Sequence, residues 1–416
     1  MVEKKVLDKE FRALVEFARG SQVPTGFGMM NDDGQVDLDA PVELWVNSRM
    51  THVFALAEMY GIPDTAHLVD HGVTSLARYF HDPIYGGWFS SIEPQPGPGG
   101  DGVPVDDEKK AYAQAFVILA ATSALAAGHE EAREILLEAL QDQEEKWRDA
   151  DSPRVVEAWN RDFTKVEDYR GINANMHTVE ALLAAADVLG DAALAERATK
   201  ILEFVYQQAS ENNWRVPEHY TRDWVVDHEY NADQPADPFR PYGVTPGHAL
   251  EFARLMLHAH GSRQNLGLEP ADWLLEGASE LGKQAQNDGW AVDGQPGFVY
   301  TTDFTGEPVV RQRMHWVLCE AAGFAAVQAR VLENSGDTEG AAALRAQAEE
   351  WWDYAQEYLV QEPGKWVHEL DTENNPSAGT WSGKPDVYHA AQMVLLPRLP
   401  SSPTFAAALR DGLLDH

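Results

Sequence analysis

Gly61, Gly128, Gly190, Gly261 and Gly336 punctuate the chain at separations of 67, 62, 71 and 75 residues. Each stands where an apolar helical pattern stops, the place for a left-handed C-terminal cap. A second pattern starts within a few residues, with Asp64, Asp191 and Asp337 as N-cap candidates. The recurrence reads as one helical hairpin repeated along the chain. Amphipathic helices are predicted near 6–19, 63–81, 129–148, 192–210, 266–287 and 337–360. More uniformly apolar ones are predicted near 45–61, 107–127, 173–190, 246–260, 312–335 and 385–397. Six helices buried all round and six buried on one side are what an inner and an outer ring require. The expected fold is therefore all-α: an (α/α)6 barrel of six hairpins occupying residues 1–416 as a single catalytic domain. An open α-solenoid is the alternative, with shorter repeats and more even loops.

The connections are uneven. Those at the glycine end are short, whereas 82–106, 149–172, 212–245, 288–311 and 361–384 are long. Loops of that length usually build a binding site or lid, and five at one end would form a rim. They carry Trp88, Trp159, Trp214, Trp224, Trp290, Trp366 and Trp381, which either stack on sugar C–H faces or pack the loops themselves. Beneath such a rim lie the first turns of the apolar helices. These hold Trp45, Asn47 and Arg49; Tyr112 and Gln114; Asn173 and His177; His248 and Glu251; His315, Trp316 and Glu320; and Asp386, Tyr388, His389 and Gln392. Any one histidine among them reads as a hydrogen-bonded core residue, and Glu320 or Asp386 as a buried partner of Arg49, Arg240 or Arg313. Burying each unpartnered would cost on the order of 1–3 kcal/mol. Six helices repeating that cost at one depth point to a site.

Composition narrows the chemistry. With 67 acidic and 32 basic side chains the formal net charge is −35, which argues against nucleic acid or an anionic membrane as partner. Cys319 is the only cysteine, which excludes an intrachain disulfide and suits a reducing cytoplasm. Met1-Val2-Glu3-Lys4-Lys5 runs straight into an amphipathic helix, with no apolar signal core expected. Ala111 to Gly128 is interrupted by Gln114, Thr122 and Ser123 and reads as a buried helix rather than a membrane span. Gly97-Pro98-Gly99-Gly100-Asp101-Gly102 lacks the preceding strand a dinucleotide loop needs and reads as a plain loop. Asp227-His228-Glu229 with Asp233 and Asp237 has no recognisable cation-ligand spacing. Nothing in the sequence asks for a metal, a cofactor or a covalent nucleophile.

Trp45-Val46-Asn47-Ser48-Arg49-Met50-Thr51-His52, Pro246-Gly247-His248-Ala249-Leu250-Glu251, His315-Trp316-Val317-Leu318-Cys319-Glu320 and Gly383-Lys384-Pro385-Asp386-Val387-Tyr388-His389 resemble the N-acylglucosamine 2-epimerase superfamily. The resemblance spans nearly the whole chain and is greatest to the aldose–ketose isomerase branch, which includes mannose and sulfoquinovose isomerases. It implies the same barrel and a metal-free aldose–ketose interconversion through a cis-enediol, on a monosaccharide. It assigns His248 to C1/C2 proton transfer, His389 to ring opening, and Glu251 to orienting His248 or the sugar hydroxyls. It implies binding positions at Arg49, Tyr112, Asn173, His177, Arg240, Trp316, Glu320 and Asp386. His368 stands where sulfosugar enzymes of the branch carry glutamine, which implies the neutral pair D-mannose and D-fructose, with D-lyxose and D-xylulose as a smaller pair. The alternatives are a sulfoquinovose isomerase, a 2-epimerase returning the proton to the opposite face, an inverting glycoside hydrolase built on Glu251, Glu320 or Asp386, and a non-catalytic sugar-binding protein. Oligomeric state is left open.

Overall fold

A computed structural model describes residues 2–150 and 152–415; Met1, Asp151 (in the 149–172 loop) and His416 lie outside them. Among the described residues the hairpins close into an (α/α)6 barrel. The inner helices are α2 (Leu44–Tyr60), α4 (Ala111–Ala126), α6 (Ile172–Leu189), α8 (Pro246–Asn265), α10 (His315–Ser335) and α12 (Tyr388–Leu395). Each packs on the next, and α12 returns to α2. The outer helices are α1 (Lys4–Ala18), α3 (Ala66–Thr74), α5 (Ala132–Asp142), α7 (Ala192–Glu211), α9 (Trp273–Gly289) and α11 (Thr338–Tyr354). Their buried positions recur at helical spacing, as in α7, where Ala195, Ala198, Ile201, Leu202, Val205 and Ala209 face inward. A short α13 (Phe405–Arg410) lies across α2, α4 and α6.

The glycine punctuation holds at four of five places. Gly61, Gly128, Gly190 and Gly336 have φ of +88°, +102°, +70° and +91°. Gly261 does not end its helix, and the expected stop at 260 is corrected: α8 runs on to Asn265, and Gly267 takes the left-handed turn at φ +69°. Gly261 is small for another reason, since a Cβ there would meet Ser402 Cβ at 2.4 Å. Asp191 and Asp337 cap as expected, accepting from Ala193 N and Gly340 N. Asp64 does not cap; it adopts φ +56° itself, and its carbonyl accepts from Arg19 Nη1.

The long loops carry short antiparallel pairings that share one arrangement. Residues just before each inner helix pair with the next long loop: Val42–Glu43 with Ser91–Ile92, Lys109–Lys110 with Ala158–Trp159, and Arg170–Gly171 with His219–Tyr220. Val244 bridges Thr302, Arg313–Met314 pairs with Glu369–Leu370, and Lys384 bridges Met30. These six links form a belt that fixes all six inner N-termini at one level. The first turns are thereby brought around one opening.

Candidate active site

The opening is a chamber of about 690 Å³, counting the solvent at its mouth. Its walls include Trp45, Arg49, Tyr112, Asn173, His177, His248, Glu251, Trp316, Asp386 and His389 from the helix starts, and Phe239, Tyr300, His368 and Trp381 from the loops. The N-terminal ends of the six inner helices surround it, a setting whose dipoles favour anionic oxygen.

Two imidazoles are held alike. His248 Nδ1 lies 2.9 Å from Glu218 Oε2, and His389 Nδ1 lies 3.0 Å from Glu320 Oε1. A carboxylate on Nδ1 fixes the ring orientation and the tautomer with Nε2 unprotonated. Both rings flank Trp316, at centroid distances of 5.1 and 5.8 Å. Burial pushes His389 below the ordinary imidazole value, although Glu320 works against it. Neutral His389 is therefore the form present at pH 7.

Beneath the imidazoles runs a buried charge network. Arg254, 1 % exposed, donates from Nε to Glu320 Oε2 at 2.8 Å and from Nη2 to Glu251 Oε1 at 3.3 Å. Glu180 accepts from Tyr388 Oη at 2.5 Å, from Gln392 Nε2 at 3.0 Å and from His177 Nδ1 at 3.2 Å. Burial and the neighbouring Glu320 carboxylate raise Glu251 well above the usual carboxylate range, while Glu320, held by Arg254 and His389, stays low despite its own burial. Of the two, Glu251 is thus the carboxyl that holds its proton to higher pH, and its Oε2 has no hydrogen-bond partner. A neutral acid with a free O–H beside the chamber can donate to a sugar oxygen. Burial lowers His177 to about 4, so it too is neutral. His177, Glu180 and Glu251 bring ligand atoms within 4.8 Å of one another, a spacing open to a metal ion, but Arg254 already supplies a cation there.

Several expected site residues are placed differently. Glu251 does not hold His248, because Glu218 does. Glu320 lies behind His389 rather than on the wall. Arg240 lies outside the chamber: it pairs with Glu167 at 2.9 and 3.0 Å and stacks on Tyr169 at 4.0 Å, lining a neighbouring groove. Arg49 does line the chamber, donating to Asp386 Oδ2 at 3.2 Å and Tyr112 Oη at 2.9 Å. Of the rim tryptophans only Trp381 reaches the chamber. Trp88 and Trp366 are buried, donating to the Leu76 carbonyl and Glu10 Oε1, and Trp290 packs on Phe298, Trp351 and Tyr354. Asn47 and Gln114 serve backbone at Phe27 and Ala139.

Sequence reasoning missed Glu180, Glu218 and Arg254. Arg254 and Glu180 had a signal: each is a charge inside an otherwise apolar inner helix, three residues after Glu251 and His177. Glu218 sits in a long loop and had none.

Residues 26–393 match the family model for N-acylglucosamine 2-epimerase. A D-mannose isomerase from Thermobifida fusca is 45 % identical over 97 % of this chain and 96 % of its own. Another, from Pseudomonas cannabina pv. alisalensis, is 41 % identical over 96 % and 94 %. The crystal structure of a D-mannose isomerase superposes with a TM-score of 0.84 at 25 % identity, covering 95 % of this chain and 97 % of that one.

Proposed function

Because the chain belongs to the N-acylglucosamine 2-epimerase family, we propose that it interconverts D-mannose and D-fructose, with D-lyxose and D-xylulose as a smaller pair, without a metal. Residues 1–416 act as one catalytic domain, on a free monosaccharide in the cytoplasm. The observation that carries the reading is the pair of carboxylate-held imidazoles on one chamber, joined to relatives that are D-mannose isomerases along almost their whole length.

One imidazole opens the pyranose, a role given to His389: its unprotonated Nε2 takes the O1–H proton as C1=O forms and the C1–O5 bond breaks, and it then returns that proton to the ring oxygen. The other, His248, removes the C2 proton. The C–H electrons form C1=C2, and the C1 carbonyl oxygen gains the Glu251 proton to give the cis-enediol. O2–H then releases its proton to the Glu251 carboxylate, C2=O forms, and C1 takes the proton back from His248. Glu251 donates its free O–H to the oxygens on C1 and C2, where charge develops. Arg49, Tyr112, Asn173, His177, Trp316 and Asp386 contact the sugar. Glu218 and Glu320 act through the histidines they hold, and Arg240 acts on the loop that carries Phe239.

Incubation with D-mannose in D2O containing EDTA, followed by proton NMR, tests this directly. D-fructose appears, with deuterium entering at C1 or C2. Glucose without fructose would convert the reading to a 2-epimerase. Absence of turnover restored by a divalent ion would place a metal on His177, Glu180 and Glu251. Sulfoquinovose run alongside is turned over more slowly than mannose.

The pH profile gives a second test. Activity needs unprotonated histidine and protonated Glu251. His389 is lowered, so loss of ring opening through its protonation falls below the ordinary value near 6.5. Glu251 is raised, so activity is lost as pH rises through its folded value. Glu251→Gln keeps a neutral donor, lowers kcat by about 10- to 100-fold and flattens the alkaline limb. An alkaline limb unchanged in this variant would remove Glu251 from the acid role.

A further inference from the structure

The wall that carries Trp381 is a loop of irregular backbone, and its N–H groups converge on one side chain. Glu369 is 1 % exposed. Its Oε1 accepts from Ser377 Oγ at 2.9 Å and Gly379 N at 2.7 Å, and its Oε2 accepts from Thr380 N at 2.8 Å and Trp381 N at 2.7 Å. The Glu369 carbonyl also accepts from Ser377 N at 2.9 Å. Three successive backbone donors on one carboxylate are charge-assisted bonds at short range, and they set the path of 379–381 residue by residue. The backbone of Glu369 is anchored on the other side. It pairs with Met314, immediately before His315 and Trp316 at the start of α10, and the adjacent His368 ring stacks on His315 at 3.8 Å. One side chain thus ties the N-terminus of α10 to the facing wall, where Trp381 meets the half-exposed Phe239 at 5.1 Å.

The geometry points to Glu369 as a positioning residue that holds Trp381 against the sugar and so governs substrate affinity without touching the reacting atoms. Its kinetic readout rests on the isomerase reading above; a backbone readout does not. In Glu369→Gln the amide nitrogen presents hydrogens to backbone N–H groups that need an acceptor, so the 379–381 path is released.

The test combines kinetics with hydrogen exchange. In Glu369→Gln, KM for D-mannose rises about 10-fold while kcat stays within about 3-fold, the signature of lost ground-state binding. Amide exchange at 379–381 quickens at least about 10-fold while exchange in α10 is unchanged. Trp381→Ala raises KM to a similar degree, and the double variant is no worse than Trp381→Ala alone, because both changes remove one interaction. Unchanged exchange at 379–381, or KM effects that multiply in the double variant, overturns the assignment. Glu369→Asp, which keeps the charge on a shorter stem, gives an intermediate KM. If Glu369→Gln does not fold, a wild-type KM in Glu369→Asp with quickened exchange overturns the proposal as well. A chain inactive on mannose would defeat the isomerase reading and leave the exchange arm to decide the role of Glu369.

Discussion

His389→Ala and His248→Ala each lower kcat for D-mannose by on the order of 10³- to 10⁴-fold, with the helical circular dichroism signal and melting temperature close to wild type. The size follows from what a positioned acid or base contributes in water-poor surroundings. The fold survives because each ring faces the chamber, packing mainly on neighbouring aromatic rings such as Trp316 and making its polar contact to one buried carboxylate. The two variants differ in their residues of activity. Mannose opens slowly without help, so His389→Ala keeps a small rate limited by spontaneous opening. His248→Ala lacks the base at C2 and falls below it. Deuterium wash-in at C2 separates the cases, since it persists weakly in the first variant and vanishes in the second. Full retained activity in either variant would sink the assignment of both histidines, and the reverse order of residual rates would exchange their roles.

The architecture was legible because helix ends obey local rules. Gly190 and Asp191 announce a stop and a start within two residues, and the structure honours both. Gly261 misled because a glycine needed for close approach to Ser402 looks in sequence like one needed for positive φ. The first-turn polar residues were legible as a set, since each is out of place in an apolar helix. The belt that levels them was not. Its links are one or two residues long and pair across loops far apart in the chain, too short for any alternation to register. Arg240 was misplaced for a related reason. Its guanidinium suits a sugar or an anion, and only the fold reveals that Glu167 and Tyr230 occupy it. Loop carboxylates such as Glu218 follow the same pattern, because their partners are set by the closure of the ring and not by spacing.

Arg254→Met costs about 3–5 kcal/mol of stability and most of the activity, and the two losses come apart in a second variant. Arg254 is the cation between Glu320, Glu251 and Glu180 at the centre of the barrel. Methionine fills comparable volume, so the loss is electrostatic rather than a cavity. What remains is a Glu320 carboxylate with His389 as its one partner in a water-poor interior, and an uncompensated buried charge is costly on that scale. Glu320 responds by taking up a proton, so its folded value rises and its stabilising contribution is lost as pH rises through that value. A protonated Glu320 no longer orders the His389 tautomer, and kcat falls with it. Removing the carboxylate as well, in Arg254→Met with Glu320→Leu, returns a large part of the stability, since replacing both partners is far cheaper than orphaning one. Activity does not return, because His389 Nδ1 then has no acceptor. Urea unfolding midpoints and steady-state rates on the same preparations read the two effects. A single-variant loss under about 1 kcal/mol, or a double variant no more stable than the single, would show that Arg254 is not what compensates the buried carboxylates.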